Sequence, residues 1–266
     1  MEKGLEKLAE MEYPGRFIII GKDTNATKNN IVIYGITGRS ESSQARTLEF
    51  DEKNNLIFTK PSDEKKISEG IQSLLIYPAI IFLPEERGIA VSNGYQTNLI
   101  NTLMKNYPNR NAGIAILEDA LTKSHLIYDL KQGMIDVTCY EPDSPNFTPR
   151  ISGCLKGRSA GLHLVVKEDG CFNKKCWPVE LEPGKGKLIS TYTGENKNPL
   201  PSFQEKNPLD VEIFGKTPTE IAEIVYESIA PQNGADFRVS VAVAMQSSST
   251  GKVIHHIINR YNDVKE

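Results

Sequence analysis

Apolar, strand-like segments follow one another along this chain with only short polar turns between them, and this order constrains the fold more than any other feature. Residues 16–21 are dense in Phe and Ile, and residues 30–37 are dense in β-branched side chains. The polar, Asn-rich residues 22–29 separate them, so this region is predicted to be a hairpin. Further strands are predicted at residues 56–59, 74–83 with a break at Pro78, 88–92, 135–139, 151–155, 161–166, 187–192 and 237–245.

Helical periodicity is confined to four segments, at residues 1–10, 96–106, 113–129 and 218–229. The last begins with Thr217-Pro-Thr-Glu220, a capping-box start with proline in the first turn. Helices and strands therefore come in blocks rather than in the strict alternation that builds a parallel sheet. The pattern predicts an α+β fold with mainly antiparallel sheets.

Residues 193–210 contain three prolines and no periodicity, which is typical of a domain linker or of a long loop. The 56 residues that follow are predicted to hold one helix and two strands, too little for an independent core. We therefore expect a single domain over residues 1–266, with 193–210 as a long polar loop within it.

The charge balance limits the class of partner. The chain of 266 residues has a net charge of -3 and a pI near 5.9, which argues against a surface built to hold nucleic acid. A small anion needs only two or three cations in a pocket and is not excluded. No apolar run approaches the roughly 20 residues needed to span a membrane, and the first ten residues lack the apolar core of a signal peptide. A cytoplasmic protein without a membrane partner is expected.

The cysteine pattern predicts no metal site. Cys139, Cys154, Cys171 and Cys176 all lie in the second half, and only the last pair is close. A structural zinc site needs tighter Cys or His spacing repeated twice, which the four histidines do not supply. Reduced thiols are the expected state.

A segment with three prolines, residues 140–151, is the strongest candidate for a functional loop. Proline fixes its own φ and pushes the preceding residue toward extended geometry, so the segment is predicted to be a stiff loop. It carries Glu141, Asp143 and Arg150, and charged groups that are already ordered lose little entropy when a substrate binds. An ordinary solvated loop between two strands is the alternative interpretation.

Glycine also stands beside polar or basic residues at the ends of predicted strands. The segments are Tyr13-Pro-Gly-Arg16, Thr37-Gly-Arg-Ser40 and Ser92-Asn-Gly94, together with the proline loop that ends in Arg150. Glycine lets a ligand approach the backbone, and arginine offers a planar fork of donors that matches phosphate or carboxylate. Each segment taken alone is more often a turn or a solvated loop.

Taken in order, these motifs resemble the archaeal-type IMP cyclohydrolase family. The segments that carry the resemblance are Tyr-Pro-Gly-Arg-Phe-Ile-Ile-Ile-Gly, Gly-Arg-Ser, Val-Ser-Asn-Gly-Tyr-Gln-Thr, Phe-Thr-Pro-Arg-Ile-Ser-Gly and Leu-Ile-Ser-Thr-Tyr. They run from about Tyr13 to the region of residues 211–245. The resemblance implies the four-layer αββα sandwich of the N-terminal nucleophile hydrolases, which agrees with the antiparallel α+β prediction.

The resemblance also implies a reaction: closure of the purine ring to give inosine monophosphate, from a purine-precursor nucleotide and without a cofactor. A homo-oligomer is expected by analogy with the family. The family's functional residues fall on Arg39 in Gly-Arg-Ser, Tyr77 in Ile-Tyr-Pro and Glu141 in Tyr-Glu-Pro-Asp. Glu141 would shuttle a proton, Arg39 would stabilise negative charge on a carbonyl oxygen, and Tyr77 would donate to that oxygen or relay a proton. Tyr77 as a core residue and Glu141 as a surface acid are the alternatives.

The matching motifs supply the expected substrate-binding residues. These are Arg16, Asn93, Gly94, Thr148 and Arg150. Arg46 and Lys156 are further cations near the motif segments that could meet a phosphate.

Two other functions stay open at this point. An amide hydrolase of the same fold would need an N-terminal Cys, Ser or Thr as nucleophile, whereas the first such residue is Thr24, inside a polar turn. A purine-nucleotide-binding protein that kept the pocket but lost the chemistry is the third hypothesis.

Overall fold

The computed structural model describes residues 4–24, 29–62, 75–129, 133–231 and 234–261, and all structural statements below refer to these ranges. The strands are β1 Arg16–Lys22, β2 Asn29–Thr37, β3 Arg46–Asp51, β4 Leu56–Pro61, β5 Pro78–Leu83, β6 Gly88–Ser92, β7 Leu126–Asp129, β8 Gly133–Asp136, β9 Arg150–Lys156, β10 Ser159–Glu168, β11 Cys171–Val179, β12 Lys185–Ser190, β13 Leu209–Glu212, β14 Arg238–Ser247 and β15 Val253–Asn259. The helices are α1 Glu6–Ala9, α2 Glu41–Gln44, α3 Gln96–Asn106, α4 Gly113–Thr122 and α5 Pro218–Ser228.

The strands form two large sheets in which neighbouring strands are antiparallel. One sheet has six strands in the order β13-β12-β1-β2-β14-β15, and the other has seven in the order β11-β10-β9-β6-β5-β4-β3. Strands β7 and β8 form a separate two-stranded ribbon. The predicted hairpin is confirmed, since β1 and β2 pair from Arg16 with Ile36 to Lys22 with Asn30. The mainly antiparallel α+β architecture is likewise confirmed.

A core cluster draws on both large sheets, because alternate residues of each strand point to the same side. From the six-stranded sheet it includes Ile18, Ile20, Val32, Tyr34, Ile36, Ala242 and Ala244. From the seven-stranded sheet it includes Ile80, Phe82, Ile89, Val91, Ile151, Leu162 and Leu164. We call the face of each sheet that lines this cluster its inner face.

The outer faces pack against the helices. Phe17, Ile19, Ile33 and Val241, the intervening residues of the six-stranded sheet, cluster with side chains of α1 and α5. On the other sheet, Ala90 and Cys154 cluster with side chains of α3 and α4. Helix α5 begins as its sequence predicts, with the Thr217 hydroxyl accepting a hydrogen bond from the amide of Glu220 and Pro218 in the first turn.

Several element boundaries differ from the prediction. The helix predicted at residues 113–129 ends at Thr122, and Leu126–Asp129 is strand β7 instead. Its β-branched and aromatic residues pair with β8, and this pairing overrides the helical periodicity. The strand predicted at residues 135–139 is displaced for the same reason, since the pairing with β7 begins at Gly133 and ends at Asp136.

No bounds were predicted for strands β3, β11, β13 and β15, although a second strand was expected somewhere in residues 211–266. Each of the four lies at an edge of its sheet, where it pairs on one side only and is less buried than the central strands. Residues 1–3 of the predicted first helix and Leu74 of a predicted strand lie outside the described residues.

The polar segment 193–210 is irregular until Leu209 begins β13. Two backbone hydrogen bonds anchor it. The amide of Thr193 donates to the carbonyl of Pro201, and the amide of Phe203 donates to the carbonyl of Thr191. The amide of Leu200 also donates to Asn146 Oδ1, which ties the segment to the proline loop. None of the helices in the described ranges combines the length and apolar character that crossing a membrane requires.

Candidate functional site

The proline loop holds Glu141 in a buried position with 3% of its surface exposed. The loop is closed by the Asp143 carboxylate, which accepts a hydrogen bond from the Thr148 amide at 2.6 Å and another from the Thr148 hydroxyl. The amide of Glu141 in turn donates to the carbonyl of Thr148 at 2.9 Å. The loop is therefore stiff through its own polar contacts as well as its prolines.

Two arginines approach Glu141 from the two large sheets. Arg16 is the first residue of β1, and its Nη2 lies 2.6 Å from Glu141 Oε1. Arg150 is the first residue of β9, and its Nη1 lies 4.0 Å from the same oxygen. The Nε atoms of both arginines are buried and have no hydrogen-bond partner in the described part of the chain. The site thus keeps two buried donors, one on each arginine, that no described residue uses.

Asn93 connects the two sides of the site. Its Nδ2 donates to the Pro149 carbonyl at 2.9 Å and lies 3.5 Å from Glu141 Oε1. Its Oδ1 accepts from the amide of Ile151 at 2.9 Å and from Gln96 Nε2 at 3.2 Å. This buried side chain holds the end of β6 against the start of β9.

Gly94 leaves room for the Arg150 guanidinium. A Cβ atom at this position would lie 2.3 Å from Arg150 Nη1 and 2.6 Å from Gln96 Oε1, which is shorter than any allowed contact. Gln96 Oε1 accepts a hydrogen bond from Arg150 Nη1 at 3.3 Å. A side chain here would force the ends of Arg150 and Gln96 to move from these positions.

Tyr77 is buried and its hydroxyl lies 2.8 Å from the hydroxyl of Tyr34. Tyr34 belongs to β2 on the inner face of the six-stranded sheet, whereas Tyr77 precedes β5 of the other sheet. Tyr77 and Tyr34 both lie near Arg16. The two phenols therefore extend the polar site into the space between the sheets.

Arg39 is directed away from this cluster. Its Nη1 donates to the carbonyl of Lys197 at 2.7 Å and to Asn196 Oδ1 at 3.2 Å, both in the 193–210 segment. Its guanidinium lies over the ring of Tyr13 at 5.9 Å. Tyr13 stacks on Tyr192, with ring centroids 5.8 Å apart.

Tyr192 links this outer group to the site, because its hydroxyl lies 2.6 Å from the hydroxyl of Thr148. The rings of Tyr13 and Tyr192 therefore lie between Arg39 and the proline loop. The structure brings six of the eight predicted site residues together. Tyr77 lies near them and contacts Tyr34, whereas Arg39 lies outside the group. The six are Arg16, Asn93, Gly94, Glu141, Thr148 and Arg150.

Burial sets the protonation behaviour of the central carboxyl. It raises the pKa of Glu141 above its ordinary value, and the positive charges of Arg16 and Arg150 oppose this shift without cancelling it. Burial also lowers the pKa of Arg150, against the attraction of Glu141. A buried carboxyl beside fixed cations can both accept and return a proton during a reaction.

Arg46 and Lys156, the other predicted cations, are also buried. Lys156 is the last residue of β9, at the opposite end from Arg150, and its Nζ donates to the carbonyls of Met104 and Tyr107. This lysine is held by structural contacts away from Glu141. Arg46 Nε donates to the Ser43 carbonyl at 3.1 Å, and its charge acts on Tyr34.

Three polar members of the site were not predicted, namely Tyr34, Gln96 and Tyr192, and Asp143 was predicted only as a charged residue of the proline loop. Gln96 and Tyr192 stand within motifs that carry the family resemblance, which was the available signal. Tyr34 occupies an inner-face position between Val32 and Ile36, where an aromatic residue is expected to be core.

Comparison with known proteins gives the family. A family model described as IMP cyclohydrolase-like protein matches residues 13–251, which is most of the chain. A search of curated proteins found no match. The chain belongs to the IMP cyclohydrolase-like family, as its motifs predict.

Proposed function

We propose that this protein is an IMP cyclohydrolase that closes the ring of 5-formamidoimidazole-4-carboxamide ribonucleotide to give inosine monophosphate. The observation that carries the proposal is the buried Glu141 carboxyl, with its raised pKa, held between Arg16 and Arg150. Membership of the family supports a nucleotide of this class as substrate.

The reaction needs no outside reactant. The carboxamide nitrogen attacks the formyl carbon, a carbon–nitrogen bond forms, and the formyl oxygen takes up a proton to become a hydroxyl. That hydroxyl then leaves as water when the ring nitrogen that came from the formamido group gives up its proton. An amide nitrogen is a poor nucleophile, so the protein must hold the two groups in contact, move these protons and stabilise the oxygen anion.

Glu141 is proposed to accept the carboxamide proton and return it to the departing oxygen. For this the Arg16–Glu141 contact must loosen when substrate binds, so that the carboxylate can face the amide instead. The donors of Arg16 and Arg150 then lie beside the reacting oxygen and can stabilise its negative charge. They are better placed for this than Arg39, whose guanidinium meets the 193–210 segment.

The surrounding residues are proposed to shape the substrate site. Asn93 and Thr148 offer hydrogen-bonding groups next to Glu141, and Gly94 keeps the Arg150 guanidinium in position. Tyr77, through Tyr34, offers a phenol chain that can donate to the same oxygen or relay a proton. We propose Arg39 as a substrate-binding residue at the rim, beneath the long polar loop.

The finer fold assignment is part of the same proposal. Helices against both outer faces of two facing sheets fit the four-layer αββα sandwich of the N-terminal nucleophile hydrolases. A homo-oligomer is expected with it by analogy with the family, and the single domain and the cytoplasmic location are kept as expectations from the sequence.

The direct test is to incubate the purified protein with the formylated carboxamide nucleotide and follow the ultraviolet absorbance of the closed purine ring. Glu141→Gln keeps shape and hydrogen bonding but cannot accept a proton, so kcat should fall by roughly 10²- to 10⁴-fold with little change in nucleotide affinity. Glu180→Gln, at an exposed carboxyl, is the matched control and should keep wild-type turnover.

The same assay separates the competing functions. An amide hydrolase would release formate and leave the imidazole nucleotide open, which proton NMR of the products detects. A binding protein would hold the nucleotide in calorimetry without converting it. Wild-type turnover by Glu141→Gln would remove Glu141 from the chemistry.

A further inference from the structure

A row of polar side chains crosses the inner face of the six-stranded sheet at the end remote from Glu141. Lys22 of β1 pairs in register with Asn30 of β2, and Asn30 pairs with Gln246 of β14. Each continues the alternation of the inner-face residues before it, as Lys22 does after Ile18 and Ile20. The row replaces apolar core where the space between the sheets opens.

A cavity of about 650 Å³ lies at this end. Lys22 and Asn30 line it from one sheet, and Arg87, Gly157 and Arg158 line it from two turns of the other. Arg87 ends the turn before β6, and Arg158 stands between β9 and β10. Three cations from three separate segments thus converge on one space.

No carboxylate is among the described residues that line the cavity. The ion pairs found within the described ranges include neither Lys22, Arg87 nor Arg158, whereas Lys156 close by is paired with Glu86 at 3.2 Å. Cations gathered without counter-charge repel one another, so the arrangement favours a bound anion.

Gln246, the register neighbour of Asn30, is a buried polar residue beside this cavity but does not line it. It is fully buried, and neither its Oε1 nor its Nε2 has a hydrogen-bond partner within the described part of the chain. Its neighbour Asn30 has only a long contact, 3.5 Å from Nδ2 to the Gly157 carbonyl. Because Asn30 lines the cavity and its amide has only this long contact, a polar ligand there would give it a better hydrogen bond.

We propose that this cavity is a binding site for a phosphorylated small molecule, separate from the site around Glu141. The phosphate would meet Lys22, Arg87 and Arg158, and the amide of Asn30 would bind its oxygens or the attached polar group. The volume is that of a small-molecule site and exceeds what a phosphate group alone requires. Lys22 and Arg16 lie at opposite ends of β1, roughly 20 Å apart at the usual rise per strand residue, so one ligand of this size does not serve both sites.

Titration calorimetry with inorganic phosphate and with ribose 5-phosphate tests the site. Lys22→Met combined with Arg158→Ala should weaken binding of both probes at least tenfold. The control pair Lys105→Met with Arg110→Ala removes the same charge from exposed positions that do not line the cavity and should leave affinity unchanged. Arg150→Ala, at the other site, should not abolish this binding.

The two probes identify the ligand class. Tighter binding of ribose 5-phosphate than of inorganic phosphate supports a phosphomonoester ligand, and equal affinity supports the free anion at the same residues. Asn30→Leu provides a second variant, because it removes the buried amide that lines the cavity and should weaken binding of both probes several-fold. Equal weakening by the cavity pair and the control pair, or wild-type affinity in the cavity pair and in Asn30→Leu, would overturn the proposal.

Discussion

Both ends of the space between the sheets carry cations, but the cations are paired with a carboxylate at one end and not at the other. At one end Arg16 and Arg150 are buried and share the carboxylate of Glu141. At the other end Lys22 and Arg158 stand at an open cavity without an ion pair in the described ranges. The same strands supply both ends, since Arg16 and Lys22 are the first and last residues of β1.

The difference shows what each arrangement suits. A closed, paired cluster keeps its geometry without ligand and controls the proton affinity of its carboxyl, which is what acid–base chemistry requires. An open group of unpaired cations has no titratable partner to tune and leaves its charge free for an incoming anion. We therefore assign chemistry to the first end and binding alone to the second.

The largest expected effect is on stability at the closed end. Arg16→Met leaves the buried Glu141 carboxylate with only the more distant Arg150, and should lower the free energy of unfolding by about 3 kcal/mol at pH 7. Lys22→Met, at the other end of the same strand, should change it by less than about 0.5 kcal/mol. Urea unfolding of both variants measures the contrast.

The loss in Arg16→Met should shrink as the pH falls, because the unpaired Glu141 carboxyl then takes up a proton and no longer carries a buried charge. Equal losses in Arg16→Met and Lys22→Met would break the distinction between the two ends.

A second prediction concerns acid sensitivity, to which Glu141 and His163 contribute with opposite sign. Because burial raises the pKa of Glu141, its contribution to stability is present at low pH and is lost as pH rises through its folded-state pKa. Burial lowers the pKa of His163 to about 3, so its contribution is present above its ordinary pKa and is lost as the pH falls. As the pH falls from 6.5 to 5, protonation of His163 should lower the free energy of unfolding by roughly 2 kcal/mol.

The measurement is the free energy of unfolding at several pH values for wild type and His163→Leu. In His163→Leu the free energy of unfolding should no longer decline below pH 6.5. His125→Leu, at an exposed histidine, is the control and should keep the wild-type profile. A decline that survives in His163→Leu would place the acid-sensitive group elsewhere.

The smallest expected effect lies between the two ends. Tyr34→Phe removes the hydrogen bond to Tyr77 and leaves a buried hydroxyl without that partner, which should cost about 1 kcal/mol of stability. If the phenol pair relays a proton, kcat should also fall several-fold while nucleotide affinity is kept. Tyr128→Phe, at a tyrosine 71% exposed, is the control. Unchanged stability and turnover in Tyr34→Phe would confine the site to the charged cluster.

The site residues that the sequence predicted most directly are those next to glycine or proline. Arg16 follows Gly15 and Arg150 follows Pro149 at strand ends, and Gly94 is itself such a glycine. These positions can be recognised before the fold is known. Tyr34 could not be separated from core aromatics, because its role depends on Tyr77 of the other sheet. The contact that pairs Arg16 with Glu141 joins residues 125 positions apart, and no local pattern encodes it.

The fold shows the same division. Central strands such as β1 and β2 are buried on both faces and were found from their apolar runs. The edge strand β11 is mostly exposed or half-buried, and its polar residues hide the period of two. The direction of Arg39 depends on the irregular 193–210 segment, whose path follows tertiary contacts rather than a sequence period.

The small space around Gly94 limits which residues relatives in this family can carry at positions 94 and 150. Since a side chain at position 94 would occupy the space of the Arg150 guanidinium, position 94 cannot take one while the arginine keeps this place. Relatives that carry a larger residue at 94 should carry a shorter one at 150, and those that keep the arginine should keep the glycine. Aligned homologues should therefore show these two positions changing together, and a relative that has lost both would be expected to act on a different substrate.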